Sequence, residues 1–193
     1  MWYNNPRLFL VRYPTTNLRM PSIKYRRTDI REIDCIRPLW CLLNEFMSTQ
    51  TTTFRSHFEQ MTFEKRKEYF EHVAAAGRLC IDIAFDVRDS DRYVGYCVSS
   101  LSQEKTGEIE SIFVDEVYRS CGIGSSLVTR ALVWLDENGS TRNRVSVSEG
   151  NEPVWNFYKK FKFYPRMTVL EQKKRVSHAR LSIHQALRRQ PDI

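Results

Sequence analysis

At 193 residues the chain is long enough for one sizeable core and short for two. Its hydrophobic, aromatic and charged fractions of 41%, 12% and 27% are those of a globular domain and exclude a collagen-like or wholly disordered chain. The net charge of +7 hints at nucleic acid until it is divided: Arg7, Arg12 and Arg19 stand without an acid in residues 1–20, six basic residues face two acidic ones in residues 171–193, and the centre is neutral.

Residues 1–20 show no sustained period. They are expected to be an N-terminal extension, with residues 7–13 as a conceivable strand. Residues 23–27 alternate like a half-buried strand. Asp29 with Glu32 forms a capping box for a helix whose apolar side runs through Ile30, Ile33, Ile36 and Leu39 or Trp40, and Pro38 is expected to kink or divide it. The polar run from Ser48 to Thr53 makes residues 44–61 read as a loop with one short helical turn. Thr62 caps a helix over 63–76, with Gly77 as its stop.

Residues 79–86, 93–101 and 108–117 then read as a three-strand meander joined by turns at 88–91 and 103–107. A helix follows, with Leu127, Val128, Ala131, Leu132 and Leu135 on one face, ending at Asn138-Gly139. A fifth strand over 144–148 leads to a helix over 152–161, with Asn151 as its cap and Pro153 in its first turn. Residues 167–172 read as a last strand, and residues 173–193 as a basic extension with a weak helical stripe. The fold class is therefore α/β (α+β), with a mixed, mostly antiparallel sheet and helices on both faces. The domain proper spans 21–172.

Cys35, Cys41, Cys80, Cys97 and Cys121 are odd in number and include no C-x-x-C pair, so neither a zinc site nor a disulfide framework is expected. No apolar run approaches the roughly 20 residues needed to cross a bilayer, and Leu8 to Val11 is too short for a signal core. The expected compartment is the cytoplasm, with no membrane partner and no bound metal.

The chemistry concentrates at Tyr118 to Ser126, where a strand feeds a glycine-punctuated turn that opens directly into a helix. Such a turn leaves backbone N–H groups unpaired at the positive end of the helix dipole, a cradle for phosphate. Gly122 and Gly124 allow close backbone approach, and Arg119 offers a cation at the rim. A dinucleotide motif would need a third glycine where Leu127 stands, and a P-loop would need a lysine that is absent.

What remains, Val114-x4-Arg119-x-x-Gly122-x-Gly124, resembles the acyl-CoA signature of the GNAT superfamily of N-acetyltransferases. Asn151-x-x-Val154-x-x-Phe157-Tyr158 fits that family's downstream pattern, and the resemblance covers about residues 23–172. It implies a GNAT-like acyl-CoA N-acyltransferase fold and acetyl-CoA as cosubstrate. Backbone bonds from Phe113 and Val114 to the pantetheine arm follow from it, with Arg119, Ser120, Gly122, Ile123, Gly124 and Ser125 around the pyrophosphate and Asn151 in contact with the cofactor.

The resemblance also places Tyr158 near the thioester sulfur, where a hydroxyl with a pKa near 10, above that of a thiol, is a suitable donor. Glu108, eleven residues before Arg119, stands where some members carry a base. Glu110 shares its strand face, and either could act directly or through water. One departure is Lys162-Phe163 where the family usually has Gly-Phe; keeping the same left-handed turn costs on the order of 1 kcal/mol.

Plainer readings stand beside these. Tyr158 can be core, Glu108 and Glu110 a solvated strand face, His57 a packed side chain, Cys121 incidental and the C-terminal stripe a solvated helix. The expected activity is direct transfer of acetyl from acetyl-CoA to a primary amine in a ternary complex, by a monomer or homodimer. The acceptor is a small-molecule amine or a protein or peptide amine. The alternatives are a non-catalytic acyl-CoA binder and a nucleic-acid module using the basic termini, the latter disfavoured by the neutral centre.

Overall fold

The computed structural model describes residues 21–173. Five strands form one sheet in the order β1-β2-β3-β4-β5: β1 (Ile23–Thr28), β2 (Gly77–Asp86), β3 (Arg92–Ser102), β4 (Thr106–Val114) and β5 (Arg142–Val145). The first four pair antiparallel, and β5 runs parallel to β4. The helices are α1 (Arg37–Gln50), α2 (Arg55–Gln60), α3 (Phe63–Ala76), α4 (Ile123–Glu137) and α5 (Trp155–Lys159). None among the described residues is long and apolar enough to cross a membrane.

Each sheet face buries its own cluster, as alternation of side chains along a strand requires. On one face Ile81, Ile83, Tyr96, Val98 and Phe113 pack against Ile33, Ile36, Leu39, Trp40, Phe63 and Phe70. On the other, Ala84, Val94, Cys97 and Ile109 meet Ile123, Leu127, Val128 and Ala131 of α4, with Tyr158. Asp82 is buried on the α4 face between two guanidinium groups. It accepts from Arg27 at 3.0 and 3.2 Å and from Arg130 at 2.9 Å, tying β1, β2 and α4 together.

Several elements depart from the sequence expectation for local reasons. The Asp29 carboxylate accepts from Arg31 N, but Glu32 bonds Thr28 and Arg26 instead of closing a capping box. A 3-10 helix at Ile30–Ile36 then gives way to α1 at Arg37, so Pro38 falls in a first turn and divides the segment. Residues 44–50 are helical, not loop: Leu39, Trp40 and Met47 are buried on one side of α1, and the Ser48 and Thr49 hydroxyls bond back to the carbonyls of Glu45 and Phe46.

Gly77 stops α3 without a left-handed turn. It starts β2 in extended conformation, where a Cβ would lie 2.4 Å from the Leu101 carbonyl oxygen. β4 ends at Val114 and a short 3-10 turn at Glu116–Tyr118 follows, with the Asp115 carboxylate accepting from Val117 N. β5 stops at Val145, and the segment from Glu152 divides into a 3-10 turn, Glu152–Val154, and the short α5.

Residues 164–173 begin a second unit and are exposed, without assigned helix or strand. The expected strand over 167–172 does not form, since no strand among the described residues pairs with it. The conceivable strand at 7–13 and the C-terminal helical stripe lie outside the described residues.

Candidate functional site

Two irregularities in β4 shape the site. Its pairing with β5 covers only Thr106 to Ile109, ending at Ile109↔Val145, so the backbone edge of residues 110–114 has no strand beside it on that side among the described residues. Its pairing with β3 passes from Ser99↔Ile109 to Val98↔Ser111, which leaves Glu110 as the extra residue of a β-bulge.

The edge runs toward the start of α4. Gly122 caps that helix at φ +78 and Ser120 precedes it at φ +65, two left-handed residues that turn the chain sharply into the helix. A Cβ on Gly122 would meet nothing within 4 Å. The first intrahelical bond is Ser126 N to Gly122 O, and no side chain caps the helix. The N–H groups of Gly122, Ile123, Gly124 and Ser125 therefore lack helical partners. The Ile123 side chain is core, so only its backbone is available at the cradle.

A Cβ at Gly124 would contact Phe157 and Val114, at 3.5 and 3.8 Å, so this glycine faces the packing between β4 and α5. Arg119 does not stand free at the rim. Its guanidinium lies over the rings of Phe46 on α1 and Phe113, and its Nε donates to the Val114 carbonyl at 3.2 Å. Phe113 turns its ring into the core of the α1 face, and its backbone N–H and C=O face Tyr96 in the β3 ladder, so contrary to expectation the open edge is offered by the backbone of Val114 and not of Phe113.

The two carboxylates differ in their partners. Glu108 sits opposite Ser100 and so shares the α1 and α3 face with it. Its Oε2 accepts from Arg144 Nε at 2.6 Å and its Oε1 from Ser146 at 3.2 Å, making it half of an ion pair. Glu110 faces the same side and takes hydroxyl donors only, Tyr69 at 2.9 Å and Ser100 at 2.6 Å. Burial and the Glu110 charge push the Tyr69 phenol up to about 12.

Tyr158 lies on the opposite face, buried with Cys97, and its hydroxyl has no hydrogen-bond partner among the described residues. Burial raises its pKa, so the phenol stays protonated. The turn after α5 keeps the left-handed residue: Lys162 has φ +63, and Phe163 N donates to Tyr158 O. Asn151 does not cap with its side chain, whose amide is without a hydrogen bond to the described residues.

Loops on the two sides of the open edge are joined. The Glu149 carboxylate accepts from the Thr51 and Thr52 hydroxyls and from Thr52 N, and these bonds hold its pKa below the usual glutamate range. Gly150 docks so closely that a Cβ would lie 2.4 Å from the Gln50 carbonyl. A shallow concavity of about 400 Å³ lined by Asp29, Arg78, Trp134 and Asn138 lies at the far end of the sheet, by the start of β2.

Tyr69, Arg144, Glu149 and Phe46 escaped the sequence reading. They carry no motif, and only the bulge and the folded loops bring them to β4.

Comparison with known proteins follows the same lines. A family model described as acetyltransferase (GNAT) family matches residues 43–163. An uncharacterized N-acetyltransferase of Methanocaldococcus jannaschii is 29% identical over 72 residues, 37% of this chain and 32% of that protein; the matched region thus spans about a third of the relative. Among solved structures, a putative acetyl transferase from Pyrococcus furiosus matches 78% of this chain and 100% of its own, at a TM-score of 0.59 and 21% identity. An aminoglycoside N-acetyltransferase solved in complex with CoA matches 83% and 99%, at 0.58 and 16%. At these identities the structures establish the likeness of fold.

Proposed function

The chain belongs to the acetyltransferase (GNAT) family, and from that premise we propose that it moves the acetyl group of acetyl-CoA to a primary amine by direct transfer in a ternary complex. The observation that carries this reading is the unpaired edge of residues 110–114 leading to the uncapped start of α4. An extended arm bearing amides fits the edge, and a pyrophosphate fits the four orphan N–H groups. Val114 would hold the arm through its backbone, with Phe113 supporting it from the β3 ladder. Ser120, Gly122, Ile123, Gly124 and Ser125 would surround the pyrophosphate, Arg119 would close the cradle on the α1 side, and Asn151 would supply its free amide. When bound, acetyl-CoA supplies an activated acyl carbon.

The protein's part is proton handling and orientation. Glu110 takes the proton that makes the acceptor ammonium a neutral, nucleophilic amine. Glu108 is the weaker candidate for this role, since its charge is already matched by Arg144. Tyr158 stays protonated and hydrogen-bonds the departing thiolate. Direct transfer is favoured over an acyl-cysteine because Cys97, the thiol packed with Tyr158, is fully buried with its pKa raised to about 12.

The acceptor enters from the side of α1, α3 and the loop at residues 51–54, and is a small-molecule or peptide amine. Thiol release from acetyl-CoA across peptides, polyamines, amino acids and aminoglycosides tests the proposal. The expected result is amine-dependent release. Tight CoA binding with no amine accelerating release would refute the catalytic reading.

A further inference from the structure

Helix α3 and strand β3 together grip the bulge residue of β4 at three points, two of them from α3. Arg66 and Tyr69, one turn apart, both face it: Arg66 Nη2 donates to the Glu110 carbonyl at 2.6 Å, and the Tyr69 hydroxyl donates to Glu110 Oε2 at 2.9 Å. Ser100 of β3 donates to Oε1 at 2.6 Å. The Arg66 guanidinium is itself held flat over the rings of Tyr69 and Phe70, 4.7 and 4.4 Å from their centroids. Backbone and both carboxylate oxygens of one residue are thus fixed by two elements.

This arrangement exceeds what packing requires. A bulge leaves its extra residue outside the strand ladder, and a carboxylate there is free to point into solvent. Instead it is held by two neutral hydroxyls, which orient it without cancelling its charge, whereas its neighbour Glu108 is paired with Arg144. Each carboxylate oxygen also keeps acceptor capacity beyond the one bond it receives. The other titratable groups around it are Arg66 and Tyr69 on α3, Tyr96 on β3 beside Cys41 of α1, Glu108 on β4 and Arg144 on β5.

We infer that Tyr69 is a positioning residue for the transfer: with Ser100 it holds the Glu110 carboxylate oriented at the open edge of β4, ready to take the acceptor's proton. The inference rests on the reading of Glu110 as the base. In the step itself the ammonium gives one proton to Glu110, and the freed lone pair forms the C–N bond as the C–S bond breaks. The thiolate takes up the second nitrogen-derived proton, relayed past Tyr158 by solvent, and Glu110 returns its proton to water, for a net release of one. Tyr69 keeps its own proton throughout, as its phenol pKa of about 12 ensures.

The test is kcat and KM for thiol release, with acetyl-CoA and the amine selected from the panel above, in the full chain and in Tyr69→Phe, Ser100→Ala and Glu110→Gln. Phenylalanine keeps the ring under Arg66, so the fold is retained. Losing the hydroxyl leaves the Glu110 carboxylate less well aimed at the bound amine without removing a contact to acetyl-CoA, so the loss falls on kcat. Tyr69→Phe is expected to lose about threefold to tenfold in kcat with acetyl-CoA affinity unchanged, and Ser100→Ala changes kcat in the same direction. An unchanged kcat, or a loss carried by acetyl-CoA affinity alone, would overturn the role of Tyr69 while leaving Glu110 as base. Wild-type turnover in Glu110→Gln would overturn the base assignment and the inference with it.

Discussion

Replacing Ser125 by Glu sets two consequences of the same helix terminus against each other. Ser125 is the third residue of α4, whose first turn carries no acid and no side-chain cap. A carboxylate there meets the positive end of the dipole and the orphan N–H groups, and should stabilise the free protein by about 0.3–1 kcal/mol. It also occupies the space proposed for the pyrophosphate. Two unit charges ~4 Å apart at an effective dielectric near 20 repel by about 4 kcal/mol, and about 2.8 kcal/mol of that suffices for a hundredfold loss of affinity.

Thermal denaturation with and without acetyl-CoA reads both effects. At a ligand concentration of about 100 Kd the wild type gains ~2.7 kcal/mol, which is roughly 5–11 °C in Tm for a chain of this size. At the same concentration the variant, with Kd raised about a hundredfold, gains ~0.4 kcal/mol, or about 1 °C. A variant that starts as stable as the wild type and keeps the full ligand shift would refute the cradle assignment.

Other consequences follow from single side chains. Asp82→Ala leaves Arg27 and Arg130 without their shared carboxylate; both are about one-third exposed and rehydrate in part, so the loss should fall near ~3 kcal/mol, seen as a Tm lower by about 6–12 °C. The Glu149 carboxyl is held below its ordinary range by Thr51 and Thr52, so its clasp is intact above that range and fades as pH falls through the lowered value. The protection of Thr52 N, its exchange relative to an unstructured amide at the same pH, should therefore fall in acid, and Glu149→Ala should show the low protection already at neutral pH; full protection in that variant would contradict the clasp. Tyr158→Phe should lower kcat for thiol release by at least about tenfold with CoA binding intact, and an unchanged kcat would return Tyr158 to a core role.

The sheet, the order of its elements and the α4 turn were legible in the sequence because each rests on local signals: alternation in β2 and β3, the Leu127 to Leu135 stripe, and Gly122 at a left-handed position. Lys162 shows the limit of residue type as a guide, since the left-handed turn survives there without glycine. α1 was misread over 44–50 because serine and threonine favour loops only when their hydroxyls have nothing better to do; here Ser48 and Thr49 bond back to their own helix and Met47 is buried. The Glu110 bulge had no signature at all. It is a property of pairing between two strands, visible only as the skipped partner between Val98 and Ser99. Alternation placed Glu108 and Glu110 on one face for a reason the bulge makes incomplete, and their different partners, Arg144 against Tyr69 and Ser100, depended on β5 and α3 folding beside them.

The open edge of β4 deserves a physical reason for persisting. A strand with unpaired N–H and C=O groups is a template for unwanted pairing, and folded chains normally shorten, charge or cover such edges. In this chain the interval is short, residues 110–114, and is bounded by β5 at one end and the α4 start at the other. One of its carbonyls is held by Arg66 and another by Arg119, the latter an exposed long cation that can swing away. An edge kept short and satisfied in part by a displaceable side chain suits a transient extended partner better than a permanent strand. That favours a cosubstrate arm lying along β4 and leaving after transfer. It also makes Arg119 the residue to watch, because an arm that bonds Val114 must compete with its Nε. Release of Arg119 from Val114 would free its guanidinium from the Phe46 and Phe113 rings and make it available to the pyrophosphate, so the cation absent from the rim in the free protein would arrive there with the ligand.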